Sequence, residues 1–264
     1  MSICGFINSY FSKPVFILQV LFLIALSCKA QDDTLRIKKW AFLVEPYLII
    51  PNIKGTTGVG SLPDVELNAD PGEIFSHFKI AAILYLEMAK DRWAISSDLI
   101  YMNLDQDVKT SNVINSGNVN FKQLSFELAG LHKLLPWLEA GIGGRFNSLQ
   151  TNVQLETKQV GGSTTSQSKS KTQTWLDPIV IARINSPADK KFMYQFRGDL
   201  GGFGIGSDFT WQLQAYAGYR FSKLFQATVG YRIISVDYSK GSGDDRFLYD
   251  VDTFGPVLRI GLNF

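Results

Sequence analysis

Cysteine is nearly absent from this sequence: Cys4 and Cys28 are the only two, and both precede residue 31. Disulfide frameworks and thiolate metal sites are therefore excluded from the rest of the chain. Long apolar runs are equally scarce, since the longest is 14–27 and Gln19 interrupts it. A spanning helix needs about 20 apolar residues, and a nucleic-acid-binding domain usually carries a clear basic excess, whereas the formal net charge is +2. The sequence thus argues against a helical membrane protein and against a nucleic-acid binder.

The apolar run near the N-terminus predicts a secretion signal. It follows Lys13 and ends in small residues, so we expect cleavage after Ala30. Residues 1–30 would then be a signal peptide and 31–264 the mature domain, with 24 basic and 24 acidic side chains. Two other interpretations stay open: a retained N-terminal anchor helix, and a lipoprotein with an acylated Cys28.

The rest of the chain alternates apolar and polar residues with a period of two, as expected of β-strands with one apolar face. Ten stretches show this pattern: 40–50, 79–88, 93–101, 123–129, 138–147, 176–184, 192–199, 209–219, 225–233 and 254–264. Pro178 interrupts the sixth, and its missing N–H predicts a bulge or a strand end there. A tilted transmembrane strand needs about 9–11 residues. We therefore predict an all-β, antiparallel, up-and-down transmembrane barrel of ten strands, with eight as the alternative.

The links between these stretches alternate in length. The short links are 90–92, 133–136, 185–190 and 222–224, and the long polar links are 55–73, 105–120, 154–174 and 240–250. The link 201–208 is shorter and rich in glycine, so it fits the pattern less well. Transmembrane barrels have short periplasmic turns and longer external loops. The pattern therefore predicts which end of each strand faces the periplasm and places both termini there.

One face of every stretch is free of charge, and the opposite face carries thirteen charged residues. These are Glu45, Lys79, Glu87, Asp98, Glu127, Glu139, Arg145, Asp177, Arg183, Arg197, Asp199, Arg232 and Arg259. A soluble sandwich with its charged face in water would show the same alternation. The secretion signal and the aromatic residues at strand ends, such as Trp40 and Trp93, favour a barrel whose uncharged face contacts lipid.

Two segments resemble outer-membrane proteins. The C-terminal positions Leu258, Ile260, Leu262 and Phe264 resemble the signal by which barrel-assembly machinery recognises its clients. The segment 175–238, with Trp-Leu-Asp-Pro at 175–178, a glycine-rich stretch at 198–212 and Gly-Tyr-Arg at 230–232, resembles a functionally uncharacterised family of small outer-membrane β-barrels. This resemblance covers roughly the last third of the chain. It implies a barrel in the outer membrane and no particular activity.

The thirteen inward charges nearly balance, with seven acids and six bases. A small barrel leaves little room for an open channel, and an unpaired buried charge is costly. We therefore predict a lumen that is largely closed by paired charges. A narrow pore or a small-ligand transport or binding barrel, which would use the same groups as a polar pathway, is the alternative.

Candidate catalytic residues are few. The histidines are His77, near the external end of the second stretch, and His132, near the periplasmic end of the fourth. An outer-rim hydrolase or lipid-modifying barrel would need a histidine beside carboxylate or serine partners, and no recognisable motif surrounds His77. Two histidines at opposite ends of a barrel cannot share a metal ion. We therefore predict no enzymatic activity, no metal site and no cofactor, and keep the rim enzyme as a second alternative.

The most specific motif is the glycine-rich link formed by Gly201, Gly202, Gly204, Gly206 and Asp208. No helix pattern follows it, which argues against a phosphate-binding loop. We predict a tight external hairpin that packs closely into the barrel mouth and is capped by Asp208. The polar link 156–174 is predicted to be a mobile solvated hairpin.

The sequence as a whole predicts an integral outer-membrane β-barrel of a Gram-negative-type bacterium. Its role is expected to be structural or surface-exposed. The expected partners are outer-membrane lipid and, during insertion, the barrel-assembly machinery. We expect a monomer that does not bind nucleic acid.

Overall fold

The computed structural model describes residues 39–72, 78–107, 114–158 and 164–264, so the predicted signal peptide lies outside the described residues. Twelve strands occupy most of them. They are β1 (Ala41–Ile49), β2 (Asn52–Val59), β3 (Val65–Ala69), β4 (Phe78–Lys90), β5 (Trp93–Asp107), β6 (Ile114–Leu135), β7 (Leu138–Lys158), β8 (Thr164–Asn185), β9 (Phe192–Gly201), β10 (Phe209–Arg220), β11 (Phe225–Lys240) and β12 (Phe247–Asn263). Among these residues, no helix is long and apolar enough to cross a membrane.

Ten of the strands close into a barrel. The order is β1, then β4 to β12, with each strand antiparallel to the next. The barrel closes where β12 pairs with β1, and Phe42 and Phe264 exchange backbone hydrogen bonds of 2.9 and 3.1 Å at that seam. Closure leaves no open sheet edge at this level, which is a requirement in lipid. The predicted all-β, antiparallel, ten-stranded barrel is confirmed, and the eight-strand alternative is wrong.

The external part of the barrel is larger than the sequence predicted. Three of the long links are mostly paired strand: β2 and β3 form a hairpin within 55–73, β5 and β6 continue into 105–120, and β7 and β8 into 154–174. The loop assignment of these three links was therefore wrong. Its physical cause is visible on β7, where the apolar residues change face: Phe146 points outward, whereas Leu149 and Val153 point inward and are buried.

This external part consists of two sheets that pack face to face. One sheet contains β3, β2, β12 and β11, and the other contains β5 to β8. The β9 and β10 strands end nearer the membrane and do not extend into either external sheet. Between the sheets lies an apolar core of Val59, Leu62, Val65, Leu67, Val119, Leu149, Val153, Leu155, Trp175, Val236, Tyr238, Phe247, Tyr249 and Val251. Trp175 of one sheet stacks on Tyr238 of the other, with ring centroids 4.2 Å apart.

At membrane level the molecule is apolar outside and charged inside, which is the reverse of the external part. Large apolar side chains cover the outside, and several are more than half exposed, such as Leu48 at 68% and Ile142 at 72%. Aromatic residues gather near the short turns, including Trp93, Trp137 and Phe192. The charged side chains point inward. A face of this kind is stable only against hydrocarbon, and the aromatic residues form the girdle expected at a membrane interface.

Candidate functional site

Polar side chains fill the lumen of the barrel at membrane level, and every barrel strand contributes at least one of them. Eleven of the thirteen predicted inward charges are buried: Glu45, Asp98, Glu127, Glu139, Arg145, Asp177, Arg183, Arg197, Asp199, Arg232 and Arg259. Glu87 is partly exposed, with 18% of its side-chain surface accessible. The side chain of Lys79 lies outside the described part of the chain.

Four of these charges form one cluster that joins β6, β7 and β9. Arg145 bonds Glu127 at 2.8 Å and Asp199 at 2.7 Å. Arg197 bonds the same two carboxylates, at 2.5 and 3.0 Å. Two guanidinium groups therefore share two carboxylates, so each charge has two opposite neighbours and the desolvation cost of burying it is offset.

A second cluster lies around Arg183 on β8. Its Nε donates to Glu139 at 2.6 Å, and its Nη1 donates to the Tyr85 hydroxyl at 2.9 Å and also bonds Glu87. Lys133 adds a longer contact of 3.9 Å to Glu139. The cluster therefore ties β4, β7 and β8 together across the lumen.

Uncharged side chains connect the clusters. Gln212 donates to Asp199 at 2.8 Å and accepts from Arg232 at 2.6 and 2.9 Å. Arg232 in turn pairs with Asp98 at 2.9 Å and donates to the Tyr47 hydroxyl at 2.5 Å. Glutamine both donates and accepts, so Gln212 satisfies an acid on one side and a base on the other.

Arg259 has a different environment, because aromatic rings surround it. Its guanidinium carbon lies 4.0, 5.0 and 5.1 Å from the ring centroids of Tyr216, Tyr47 and Tyr85, whereas its carboxylate partner Glu45 is 3.5 Å away. Cation–π contacts are strongest where water is excluded. The sequence prediction omitted these tyrosines, although all three fall on the inward face of their stretches and so carried a detectable signal.

Asp177 stands apart from the other charges because it anchors the glycine-rich hairpin. One of its oxygens accepts from the backbone N–H and hydroxyl of Ser207, at 2.6 and 2.8 Å. The other accepts from Asn147 at 3.0 Å and from the Trp175 indole at 2.9 Å. A Cβ on Gly206 would lie 2.4 Å from the Leu176 carbonyl oxygen, so the hairpin backbone packs directly on β8.

The backbone conformation of the hairpin requires glycine at only some of the positions where glycine occurs. Gly202 and Gly204 have φ of 81° and 71°, and Phe203 between them has φ of 52°. The Asp208 carboxylate accepts from the N–H and hydroxyl of Ser239 on β11, at 3.1 and 2.7 Å. Asp208 thus ties the hairpin to β11, and its side chain does not cap the hairpin itself as the sequence suggested.

Ion pairs join the two external sheets above the apolar core. Lys169 of β8 bonds Asp244 at 2.6 Å, and Lys171 bonds Asp245 at 3.1 Å. Asp244 and Asp245 lie in a single 3₁₀ turn between β11 and β12. Hydrogen bonds from Lys169 and Ser61 lower the pKa of Asp244. These pairs are exposed to solvent and are therefore weak individually.

The histidines do not form a site in the described structure. His77 lies outside the described residues, so the predicted rim alternative has no described geometry. His132 packs its ring edge against Trp93 on the outer face, with centroids 4.5 Å apart. In the part of the chain that the structure describes, no group of three or more histidines, cysteines or acids is placed to hold a metal ion.

The C-terminal positions resembling an assembly signal lie on the lipid-facing side of β12. Leu258, Ile260 and Phe264 are exposed, and Leu262 is half-buried. They form one continuous apolar row beside the seam with β1.

No family model and no curated protein matches this sequence. Among solved structures, the outer membrane protease OmpT from Escherichia coli superposes with a TM-score of 0.53 at 11% identity, over 89% of this chain and 99% of that one. The Ralstonia pickettii toluene transporter TbuX gives a TM-score of 0.36 at 8% identity, covering 85% and 88% of the two chains. A FadL homologue from Pseudomonas aeruginosa gives 0.35 at 7%, covering 85% and 90%.

The likeness to OmpT shows a shared barrel fold. The superposition alone does not show what surrounds the barrel. The apolar outer face and the charged lumen do, because a barrel with this polarity is stable only when hydrocarbon surrounds it. The protein is an integral outer-membrane β-barrel. The predicted resemblance to small outer-membrane barrels and the predicted outer-membrane location are confirmed at this level.

Proposed function

We propose that this outer-membrane barrel is a sealed, non-conducting protein with a structural or surface role. The observation that carries the proposal is that two different fillings lie in series along the barrel axis. At membrane level, side chains from all ten barrel strands form the network of ion pairs and hydrogen bonds. Above it, the two external sheets pack through an apolar core in which Val119 and Phe247 are completely buried.

Planar-bilayer recordings of the refolded protein test this proposal. We expect no steady conductance steps from the wild type, because an ion would have to cross both fillings. Steps of reproducible size from the wild type would contradict the proposal. A variant carrying both Arg145→Ala and Phe247→Ala, which truncates one large side chain in each filling, is the informative comparison. We expect it to show leak currents if it inserts.

One observation favours a narrow polar pathway as a second candidate. Four buried nitrogen donors in the lumen have no hydrogen-bond partner among the described residues: Arg145 Nη1, Arg197 Nε, Arg259 Nε and Gln214 Nε2. Buried donors normally have partners, so this surplus suits a small polar or anionic solute. Swelling of liposomes that contain the protein, in small sugars or amino acids, would separate this candidate from the sealed barrel.

A non-enzymatic role is part of the proposal. A rim enzyme would hold its substrate at the external mouth, and apolar side chains such as Val153 and Phe247 fill that region. His77→Ala is the direct test of the alternative. If the purified protein cleaves peptide or lipid substrates and the variant does not, the non-enzymatic role is wrong.

The proposal also includes the two expected partners. The apolar row of Leu258, Ile260, Leu262 and Phe264 lies on the lipid-facing side of β12, where an assembly machine could bind it before insertion. Replacing Phe264 with Ser should slow insertion by purified assembly machinery more than it slows spontaneous folding into detergent. A monomer is expected, and analytical ultracentrifugation in detergent would test this expectation.

A further inference from the structure

The strand β8 has a neighbour on only one side over its external half. On the β7 side its pairing continues from end to end. On the other side its pairing with β9 stops at Ile179, opposite Gly201, because Gly201 is the last residue of β9. In the described structure, no strand pairs with this side of β8 above Pro178. We call this side of residues 164–174 the open edge.

Two hydrogen bonds identify the backbone groups that point to the open edge. The Gly202 N–H donates to the Pro178 carbonyl at 3.2 Å on the β9 side, and the Thr157 hydroxyl of β7 donates to the Thr165 carbonyl at 3.3 Å on the other. Backbone groups two residues apart point to the same side of a strand. The residues that present N–H and C=O groups to the open edge are therefore Thr164, Ser166, Ser168, Ser170, Thr172 and Thr174. They span about 33 Å.

The edge of β11, which ends the other external sheet on the same side, is covered. The Asp208 carboxylate accepts from the Ser239 N–H at 3.1 Å, and the Asp208 N–H donates to the Asp237 carbonyl at 2.9 Å. One residue of the glycine-rich hairpin thus bonds the backbone of β11 where β10 has ended. The open edge of β8 is longer and has no such cover among the described residues.

The side chains of the open edge do not block a further strand. Native proteins usually protect an exposed edge with lysine, proline or a bulge. Lys169 and Lys171 point inward and bond the 3₁₀ turn between β11 and β12 at 2.6 and 3.1 Å, so their charges are held away from the edge. The pairing of β8 with β7 contains no bulge. The outward side chains are small hydroxyl groups, which suit cross-strand pairing.

Two large apolar side chains lie at the membrane-proximal end of the open edge. The glycine-rich hairpin packs on β8 there, since a Cβ on Gly206 would lie 2.4 Å from the Leu176 carbonyl oxygen. At the tip of this hairpin, Phe203 and Ile205 flank Gly204 and are 52% and 77% exposed. An anchor for an apolar side chain is thus present next to the first free backbone groups of β8.

The shape of the open edge restricts its occupant to an extended chain, because only a β-strand matches a row of alternating N–H and C=O groups. A second copy in the same membrane does not fit. Rotation about the membrane normal reverses the tilt of β8, so two copies tilted by about 40° would cross at about 80° and form no ladder. The occupant is therefore a strand from another protein.

We propose that the open edge binds an extended segment of another extracellular protein by strand addition. The segment runs antiparallel to β8, which is the more stable arrangement, and so continues the direction of β9. Its backbone bonds the six free residues of β8, and an apolar side chain near its N-terminal end contacts Phe203 and Ile205. The inference rests on the surface role proposed above and is independent of whether the lumen conducts.

The test uses the mature barrel in phosphatidylcholine nanodiscs and a synthetic peptide of about eleven residues. The peptide has an N-terminal phenylalanine followed by alternating threonine and glutamine, and its affinity is measured by fluorescence polarisation. Amide hydrogen exchange, resolved by residue, reports where it binds. We expect the peptide to slow exchange at Ser168, Ser170, Thr172 and Thr174. The odd-numbered amides between them should not change, because they already bond β7.

Thr172→Pro tests the backbone directly. It removes one free donor and places a ring on the open edge, so we expect the affinity to fall at least about tenfold. The variant should fold, because the N–H of residue 172 does not bond β7 and because Pro178 already occupies this side of β8 without a bulge. Thr172→Val keeps the N–H and is the matched control, which should bind like the wild type.

Ile205→Ser tests the apolar anchor and should reduce the affinity about three- to tenfold. Leu224→Ser is its control, since Leu224 is 50% exposed on the periplasmic rim and should not affect binding. Heat-modifiable electrophoretic mobility checks that each variant folds. If Thr172→Pro does not fold, the exchange pattern of the wild type decides.

Three results would overturn the proposal: no binding of the peptide at about 1 mM, equal binding by folded Thr172→Pro, or equal slowing of odd- and even-numbered amides. Sedimentation as a dimer that Thr172→Pro converts to a monomer would also overturn it, because a second copy would then occupy the edge. Planar-bilayer conductance is recorded on the same preparations. A barrel that conducts and still binds the peptide would contradict only the sealed lumen.

Discussion

The membrane-level and external halves of β7 place their apolar side chains on opposite faces. Below, Ile142 and Phe146 point outward, and Arg145 points into the lumen. Above, Leu149 and Val153 point inward, and polar side chains face outward. The strand continues through this change without a bulge at that point in its pairing with β6 or β8. One continuous β-strand can thus lie in two environments. The sequence at each position determines which face of the strand is apolar, and the backbone pairing does not change.

The two halves also fill their interiors by different means. The external core gains stability from apolar burial, which does not depend on direction. The membrane-level network depends on geometry, since a buried charge is tolerated only while its partners are in place. The halves should therefore respond differently to the loss of one side chain, which the following variants measure.

Truncation of a buried charge should have the largest effect. Arg145→Ala removes the shared partner of Glu127 and Asp199 and leaves excess negative charge in the lumen. We expect a loss of about 3–5 kcal/mol in the free energy of unfolding, measured by urea titration in lipid vesicles. Arg246→Ala is the control, since it breaks an exposed pair with Asp64 at 2.6 Å and should cost less than about 1 kcal/mol. Similar costs for the two variants would show that the network contributes no more than a surface pair.

Phe247→Ala should have a more local effect. Phe247 is fully buried in the external core, and removing a buried phenyl ring costs about 3 kcal/mol or more at its site. We expect hydrogen exchange to increase in β2, β3 and the external parts of β6 to β8, while the amides around Arg145 stay protected. Exchange that increases equally at both levels would mean that the two halves unfold as one unit.

The sequence predicted the membrane-level half far better than the external half. The uncharged face, the inward charges and the ten strands all follow from one regular alternation, because lipid on one side imposes a strict rule along every strand. Above the membrane that rule reverses at Leu149 and Val153, so the predicted fifth strand ended at residue 147. A search for alternation in either phase would have identified β7 as far as Leu155.

The network could be predicted only as a set of residues. Alternation places Glu127, Arg145 and Asp199 inside, but which carboxylate meets which guanidinium depends on the shear and closure of the barrel. Gln212 and the tyrosines around Arg259 were missed because a search for charge overlooks neutral groups. Asp177 was grouped with the lumen charges, whereas it bonds Ser207 of the glycine-rich hairpin as well as Asn147 and Trp175.

Changes in that hairpin should have an intermediate effect. A Cβ on Gly206 would collide with the Leu176 carbonyl oxygen, so Gly206→Ala must displace the hairpin and weaken its bonds to Asp177. We expect a cost of about 2 kcal/mol in urea unfolding. Gly204→Ala is the matched variant, because nothing lies within 4 Å of its Cβ position and only the left-handed backbone opposes it, at about 1 kcal/mol. The reverse order would show that backbone strain outweighs packing in this hairpin.

The smallest effect concerns the acidic patch on the external part of β11 and β12. Burial, followed by the carboxylates of Asp250 and Asp208, raises the pKa of Asp237 above its ordinary 3.8. The folded state therefore holds this proton more tightly than the unfolded chain does. The resulting stabilisation is present below about pH 4 and is lost as the pH rises through the folded pKa.

Asp237→Asn cannot ionise, so it should melt slightly above the wild type at pH 7 and lose that advantage near pH 4. Asp189→Asn, on the periplasmic rim beside Lys190, is the control. If the two variants show the same pH dependence of the melting temperature, the neighbouring carboxylates do not act on Asp237.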